Sequence, residues 1–198
     1  MNNSINDQII EIREVPVSQL CFLSSISIAF EVNAILDICP SARDSGGWII
    51  SEHPVEHPYI KDYDSISENH PLDWQKQFDL TNWGLLFAYH KTERIGAALI
   101  AYRTPGVDML EDRTGQAVLW DIRVAETWRG KGIGKALFEA VKVWSKTRKC
   151  RELKIETQNN NAAAVRFYQK QGCVLKTINI GAYQDLPEEI QLLFYLDL

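Results

Sequence analysis

The stretch WRGKGIGK, residues 128–135, lies between an apolar strand candidate, Ala117–Val124, and an amphipathic helix candidate, Gly134–Lys149. Its three alternating glycines allow backbone conformations that point several N–H groups at one place. The free N–H groups at the start of the helix point in the same direction, and the side chains of one arginine and two lysines add positive charge. The stretch therefore predicts an anion site for a phosphate or a pyrophosphate.

The spacing of this loop excludes two common phosphate-binding motifs. A P-loop requires G-x-x-x-x-G-K-[ST], but Arg129 stands where the first glycine belongs and Ala136 where the hydroxyl residue belongs. A Rossmann fingerprint requires G-x-G-x-x-G, and reading from Gly130 the third glycine position holds Lys135. The loop also follows the fourth strand candidate of the chain, whereas the dinucleotide unit follows the first.

A second motif follows on the next helix candidate, which begins among Asn159–Asn161 and ends near Gly172. Asn161, Ala164 and Tyr168 share one face of this helix. A polar cap, a small residue and a phenol on one face would let a slender ligand approach the backbone. The alternative is that Tyr168 is a core aromatic residue with its hydroxyl at the surface.

Together the two motifs resemble the GNAT superfamily of N-acetyltransferases. The loop resembles the [Q/R]-x-x-G-x-[G/A] loop of that family, and residues 161–173 resemble its N-x-x-A-x-x-x-Y-x-K-x-G-F signature, except that Cys173 replaces the last aromatic residue. The resemblance covers Ala117–Leu198. It implies an α/β fold with a central mixed, mostly antiparallel, V-shaped sheet of about seven strands and helices on both faces. It also implies one domain, 1–198, in which 83–198 bind acetyl-CoA and 1–82 shape the acceptor site.

The resemblance also implies roles for individual residues, and no metal. The loop would hold the pyrophosphate of acetyl-CoA, Asn161 would contact the pantetheine arm, and Tyr168 would protonate the departing thiolate. Backbone N–H groups of the strand before the loop would contact the thioester carbonyl and the pantetheine. The residues assigned to acetyl-CoA in this way are Ile122, Arg123, Val124, Arg129, Gly130, Lys131, Gly132, Ile133, Gly134, Lys135, Asn161, Ala164 and Tyr168.

The general base has two carboxylate candidates, Asp121 and Glu156. An aspartate within an apolar strand is costly unless it is paired or faces a cleft. Asp121 is therefore equally well explained as a structural partner of Arg123 or Arg151, and a chain of water molecules could also remove the proton. The residues alone leave these alternatives open.

The acceptor is predicted from a second resemblance and from charge. Residues 156–161 and 178–183 resemble the streptothricin acetyltransferase branch of the superfamily, which implies a small antibiotic-like or polyamine-like amine. A formal net charge of −5 suits a cationic substrate and argues against nucleic acid as a partner. A protein or peptide N-acetyltransferase and a non-catalytic acyl-CoA sensor are the alternatives, and homodimerisation stays open.

Cysteine and histidine usage predicts neither disulfides nor a metal site. The four cysteines form no C-x-x-C pair, so free, buried thiols in a reducing compartment are expected. His53 and His57 are four residues apart, but Pro54 and Pro58 prevent a helical ligand pair. Since no long apolar run or basic leader is present, the sequence predicts a cytoplasmic protein that does not enter a membrane.

The remaining elements are predicted from periodicity and from turn residues. They are a strand at Gln8–Val15, a helix at Leu20–Ile38 capped by Ser18, a long loop at Ser41–Pro71 with at most a short helix, a helix at Leu72–Asn82, a hairpin of Trp83–His90 and Arg94–Arg103, a strand at Arg151–Glu156, and a covered final strand at Glu189–Leu196.

Overall fold

The computed structural model describes residues 9–41 and 47–198. Within them the strands are β1 (Ile10–Val15), β2 (Phe30–Pro40), β3 (Trp48–Lys61), β4 (Gly84–His90), β5 (Glu93–Ala101), β6 (Gln116–Val124), β7 (Glu152–Gln158), β8 (Val174–Asn179) and β9 (Gln191–Asp197). The α-helices are α1 (Pro71–Gln77), α2 (Ile133–Thr147) and α3 (Ala162–Lys170), and a longer 3-10 helix spans Val17–Ser25.

Seven strands form one sheet in the order β1-β4-β5-β6-β7-β9-β8, and β2 and β3 form a separate two-stranded sheet. The neighbours β1 and β4, β4 and β5, β5 and β6, and β8 and β9 are antiparallel. The predicted α/β fold, with a mostly antiparallel sheet of about seven strands, is confirmed. The predicted hairpin is β4–β5, which turns through Lys91 and Thr92.

The chain divides into two compact units, and the first contains residues 9–28, 62–154 and 197–198. In this unit α2 contacts β4, β5 and β6. Alternate residues of β4 instead join an apolar cluster with the 3-10 helix and α1, formed by Leu20, Leu23, Trp74, Leu85, Phe87 and others. Because helices cover both faces of these strands, β4 and β5 are apolar along nearly their whole length.

Helix α2 follows the predicted amphipathic pattern. Leu137, Val141 and Trp144 are buried, as are Ile133 and Phe138 at its start. The indole N–H of Trp144 donates to the Glu14 carboxylate at 2.7 Å, which fixes the ring over β4. The spacing of apolar residues thus determines which face of α2 packs on the sheet.

Replacing Gly84 with alanine should destabilise the protein, because an added Cβ would lie only 2.3–2.5 Å from atoms of the Trp144 indole ring. Core overpacking of this kind costs about 1–3 kcal/mol. The free energy of unfolding from urea titration should fall by that amount. Gly115→Ala is the matched control, since its Cβ would meet only the Arg151 side chain at 3.5 Å, an ordinary contact. Equal stability of the two variants would contradict the prediction.

The second unit contains, among the described residues, 29–41, 47–61 and 155–196. Here β2 pairs with β3, and α3 contacts β2. Strand β9 lies between β7 and β8 in the sheet order, and its residues Leu192–Tyr195 are buried, so the prediction of a covered final strand is confirmed.

The predicted helix at Leu20–Ile38 is wrong. The segment divides into the 3-10 helix and β2, with a break at Ser27–Ala29. The residues of β2 include Val32, Ile35 and Ile38, whose β-branched side chains favour an extended backbone. Pairing with β3, which the local pattern does not reveal, decides the outcome.

The predicted loop at Ser41–Pro71 is also wrong over most of its length, although residues 42–46 lie outside the described part of the chain. Its middle is the fourteen-residue strand β3, which contains both Pro54 and Pro58. Prolines are tolerated in edge strands and at irregularities. The register shifts beside them, from Tyr59 opposite Val32 to Pro54 opposite Ala34. The helix predicted at Leu72–Asn82 is the shorter α1, capped by the His70 ring.

The cysteines are free, but the prediction that they are buried holds for only two of them. Cys150 and Cys173 are buried, whereas Cys21 and Cys39 are exposed. Residues 9–41 and 47–198 contain no group of three or more His, Cys, Asp or Glu side chains arranged to hold a metal ion. Over the same residues no helix is long and apolar enough to span a membrane.

Candidate functional site

The glycine-rich loop connects β6 to α2 through a short 3-10 turn at Glu126–Trp128. Gly130 has φ 74° and Gly132 has φ 85°, so both adopt the left-handed conformation that other residues rarely adopt. Gly132 is the N-cap of α2. No described atom outside the neighbouring residues lies within 4 Å of where a Cβ would stand at either glycine. The glycines are therefore required by backbone conformation, and the space beside them is open.

The start of α2 supplies hydrogen-bond donors to this open space. The first intrahelical bond runs from the Ala136 N–H to the Gly132 carbonyl at 3.0 Å. The N–H groups of Ile133, Gly134 and Lys135 precede it, and helix geometry provides them with no intrahelical acceptor. Together with the helix dipole they favour a bound anion.

Two cationic side chains of the loop have contacts that its sequence does not predict. The Arg129 guanidinium donates to the Val124 carbonyl at 3.1 Å and to the Ser27 carbonyl at 3.4 Å. Arg129 therefore links the loop to the end of β6 by a hydrogen bond. The Lys131 ammonium lies 5.0 Å from the centre of the Trp128 ring. Lys131 and Lys135 are exposed, so their charges raise the potential around the loop.

Asp121, one candidate base, is half of a buried ion pair on β6. Arg123 donates to it from Nε at 2.8 Å and from Nη2 at 2.5 Å. The same guanidinium binds the Asp64 carboxylate at 2.8 and 3.2 Å and the Ile26 carbonyl at 3.1 Å, so all five of its N–H groups donate. Burial disfavours the charge of Arg123, but the two carboxylates more than offset this and raise its pKa. The arrangement favours the structural alternative for Asp121, with Arg123 rather than Arg151 as its partner.

Asn161 is the N-cap of α3. Its side-chain oxygen accepts a hydrogen bond from the Ala164 N–H at 3.0 Å, as expected for a capping asparagine. The side-chain NH₂ group is the part of Asn161 that can donate to a ligand.

Tyr168 lies on the predicted face of α3 and is 5% exposed. Its ring centre is 5.3 Å from that of Phe167 and 6.0 Å from that of Phe194. The packing of the ring agrees with a core position. Ala164 is partly exposed one turn earlier.

Glu156, the other candidate base, stands on β7 at the centre of a polar network. Its carboxylate accepts from the Tyr183 hydroxyl at 2.6 Å, from Gln191 at 2.7 Å and from Gln158 at 3.3 Å. The sequence draws attention to Tyr183 only through the resemblance of residues 178–183 to the streptothricin acetyltransferase branch, and it indicates no role for Gln158 or Gln191. Tyr183 is 27 residues from Glu156, so no local pattern links them.

The predicted site residues thus fall into two sets, each described within its own unit. In the first unit the end of β6 leads directly into the loop and α2, so residues 121–135 form one continuous segment. In the second unit Asn161, Ala164 and Tyr168 occupy α3, and Glu156 lies on β7 with its network.

Residues 49–173, more than half of the chain, match the acetyltransferase (GNAT) family, and the chain belongs to that family. The sequence-based prediction of the family is confirmed, and the protein is an enzyme of the acyltransferase class. Among curated relatives, streptothricin acetyltransferase A of Bacillus subtilis (strain 168) is 27% identical over 159 residues, which are 78% of this chain and 82% of the relative.

Solved structures show the same fold. A putative streptothricin acetyltransferase from Bacillus anthracis str. Ames, in complex with acetyl coenzyme A, superposes with a TM-score of 0.71 at 26% identity, covering 96% of this chain and 100% of that one. A nourseothricin acetyltransferase also gives a TM-score of 0.71, at 20% identity over 95% of this chain and 98% of its own.

Proposed function

We propose that this enzyme moves the acetyl group of acetyl-CoA to a primary amine of a small cationic molecule, by direct attack of the amine on the thioester. The observation that carries the proposal is the loop before α2, where two left-handed glycines have open space beside them and the second is the N-cap of the helix. The similarity to a structure that contains acetyl coenzyme A supports the choice of donor.

The donor is assigned to the residues of the two motifs. Residues 129–135 bind the pyrophosphate through backbone N–H groups and the charges of Lys131 and Lys135. The backbone of Ile122–Val124 contacts the thioester carbonyl and the pantetheine. Asn161 contacts the pantetheine through its NH₂ group, beside the small side chain of Ala164.

Acyl transfer from a thioester to an amine needs a neutral amine, stabilisation of the tetrahedral oxyanion and a proton for the thiolate. We assign the proton to the Tyr168 hydroxyl. A phenol has a reference pKa of about 10 and a thiol of about 8.5, so transfer between the isolated groups is uphill by roughly 2 kcal/mol. Positioning of the reactants supplies much of the remaining acceleration.

The acceptor is assigned from the relatives and from charge. Streptothricin and nourseothricin acetyltransferases are the named neighbours, and this chain carries a net charge of −5. We therefore propose an antibiotic-like or polyamine-like amine. Asp121, Glu156 and a chain of water molecules are the candidates for its base, and the ion pair with Arg123 makes Asp121 the weaker of the two carboxylates.

The proposal is tested with purified protein, acetyl-CoA and streptothricin, by following release of the CoA thiol. Release should require both protein and amine, and a lysine-containing peptide should support much less of it. Acetyl-CoA at 100 times its Kd should stabilise the fold by about 2.7 kcal/mol in thermal unfolding. If acetyl-CoA produces no stabilisation, the assignment of the donor is wrong.

A further inference from the structure

The Glu156 carboxylate is held by neutral donors. The phenol of Tyr183 and the side-chain amides of Gln158 and Gln191 provide its hydrogen bonds. No lysine, arginine or histidine in residues 9–41 and 47–198 forms an ion pair with it. The network therefore orients the carboxylate without neutralising its charge.

Two other carboxylates of the same unit have cationic partners. Glu189, which is 2% exposed, is paired with Lys61. Glu52, at the surface, is paired with Arg166. A partly buried charge without a counterion costs free energy, since the protein replaces only part of its hydration. Glu156 is thus a partly buried anion that a cationic ligand would stabilise.

The hydrogen bonds also specify where such a ligand can bind. Oε1 of Glu156 accepts from both Tyr183 and Gln158, so its two lone pairs are used. Oε2 accepts from Gln191, which leaves one lone pair for another donor. Gln158 also donates to the Tyr183 hydroxyl at 2.9 Å, which orients the phenol toward the carboxylate.

The Tyr183 hydroxyl remains a hydrogen-bond donor in this network. Burial and the neighbouring Glu156 charge raise the pKa of the Tyr183 hydroxyl well above its ordinary value, so this donor keeps its proton at neutral pH.

We propose that Glu156 binds an ammonium group of the acceptor through Oε2, and that Tyr183, Gln158 and Gln191 are positioning residues that hold the carboxylate for it. The inference rests on the proposed function, because it requires a cationic amine as acceptor. It assigns Glu156 to recognition of that amine rather than to removal of its proton.

The test compares Glu156→Gln with wild type, using streptothricin and acetyl-CoA. The KM for streptothricin should rise at least tenfold, while kcat and the KM for acetyl-CoA change less than twofold. Added salt should raise the wild-type KM for streptothricin but not that of the variant. Tyr183→Phe, which keeps the ring and removes one donor, should raise the same KM about threefold to tenfold.

Glu188→Gln is the matched control, because it removes an exposed carboxylate of the same unit and the same formal charge. Its KM for streptothricin should equal that of wild type. A fall in kcat at unchanged KM in Glu156→Gln would assign Glu156 to proton removal and overturn the inference. Loss of thermal stability in both network variants with unchanged KM values would overturn it in favour of a structural role.

Spermidine is assayed in parallel as a second cationic amine. The wild-type assays alone test the proposed function, because a wild type that acetylates neither streptothricin nor spermidine would contradict it. The ratio of variant to wild-type KM decides the role of Glu156. A wild type that acetylates streptothricin or spermidine, with Glu156→Gln indistinguishable from it, would contradict the inference and leave the proposed function intact.

Discussion

Tyr168→Phe is expected to lower kcat by about 10²–10³-fold, within the range for loss of a general acid. The variant retains the buried ring and its packing on Phe167 and Phe194, so stability should change little. The variant lacks the hydroxyl that we propose as the source of the proton for the departing thiolate. Steady-state release of the CoA thiol measures the effect, and thermal unfolding with acetyl-CoA shows whether the donor still binds.

Tyr195→Phe provides the control for this variant. Tyr195 is a buried tyrosine of the same unit, on β9, and it belongs to neither family motif. Its kcat should match that of wild type. If Tyr168→Phe also retained wild-type kcat while acetyl-CoA still bound, the hydroxyl would not be the acid, and the role assigned to it would be wrong.

The largest effect on stability is expected at Arg123. Its side chain is fully buried and bridges Asp121, which is 2% exposed, to Asp64, which is 17% exposed. Arg123→Met removes the counterion and leaves two carboxylates close together with little access to water. Breaking a buried ion pair in this way costs about 3–5 kcal/mol. Urea unfolding should show a lower midpoint with an unchanged m-value.

A surface ion pair provides the control for the loss of the buried pairs of Arg123. Arg166 and Glu52 pair with side chains that are 51% and 41% exposed, so Arg166→Ala should cost no more than about 1 kcal/mol. Arg123→Lys keeps the charge but loses the planar fork that reaches both carboxylates, and its stability should fall between wild type and Arg123→Met. Equal stability of Arg123→Met and Arg166→Ala would show that the buried cluster does not stabilise the fold.

The sequence was a good guide from β4 to β9. There the elements follow short-range signals: the apolar runs of the hairpin, the glycines before α2, the asparagine cap of α3 and the glycine after it. Each signal acts within a few residues, through backbone conformation or through one capping bond. Except for β8, for which no bounds were predicted, the strands and helices in this part were therefore predictable to within a few residues.

Strands β2 and β3 were not predictable in the same way. Phe30–Pro40 and Trp48–Lys61 are strands because they pair with each other, and the irregular register at Pro54 permits prolines that otherwise indicate a loop. Local propensity favoured a helix and a loop, and pairing between the two segments overrode it. The exposed positions of Cys21 on the 3-10 helix and of Cys39 on β2 likewise follow from the elements that contain them rather than from the residue type.

The candidate site shows the same contrast between features set by adjacent residues and features set by distant ones. The sequence by itself determined the loop at 129–135, the helix that follows it and the family, because glycine conformation and helix-start donors depend on adjacent residues. Only the tertiary structure shows which groups the two candidate carboxylates contact. Asp64 is 59 residues from Arg123, and Gln191 is 35 residues from Glu156. The charge state and the partners of a carboxylate depend on groups that folding brings within about 3 Å, and spacing along the chain does not encode those distances.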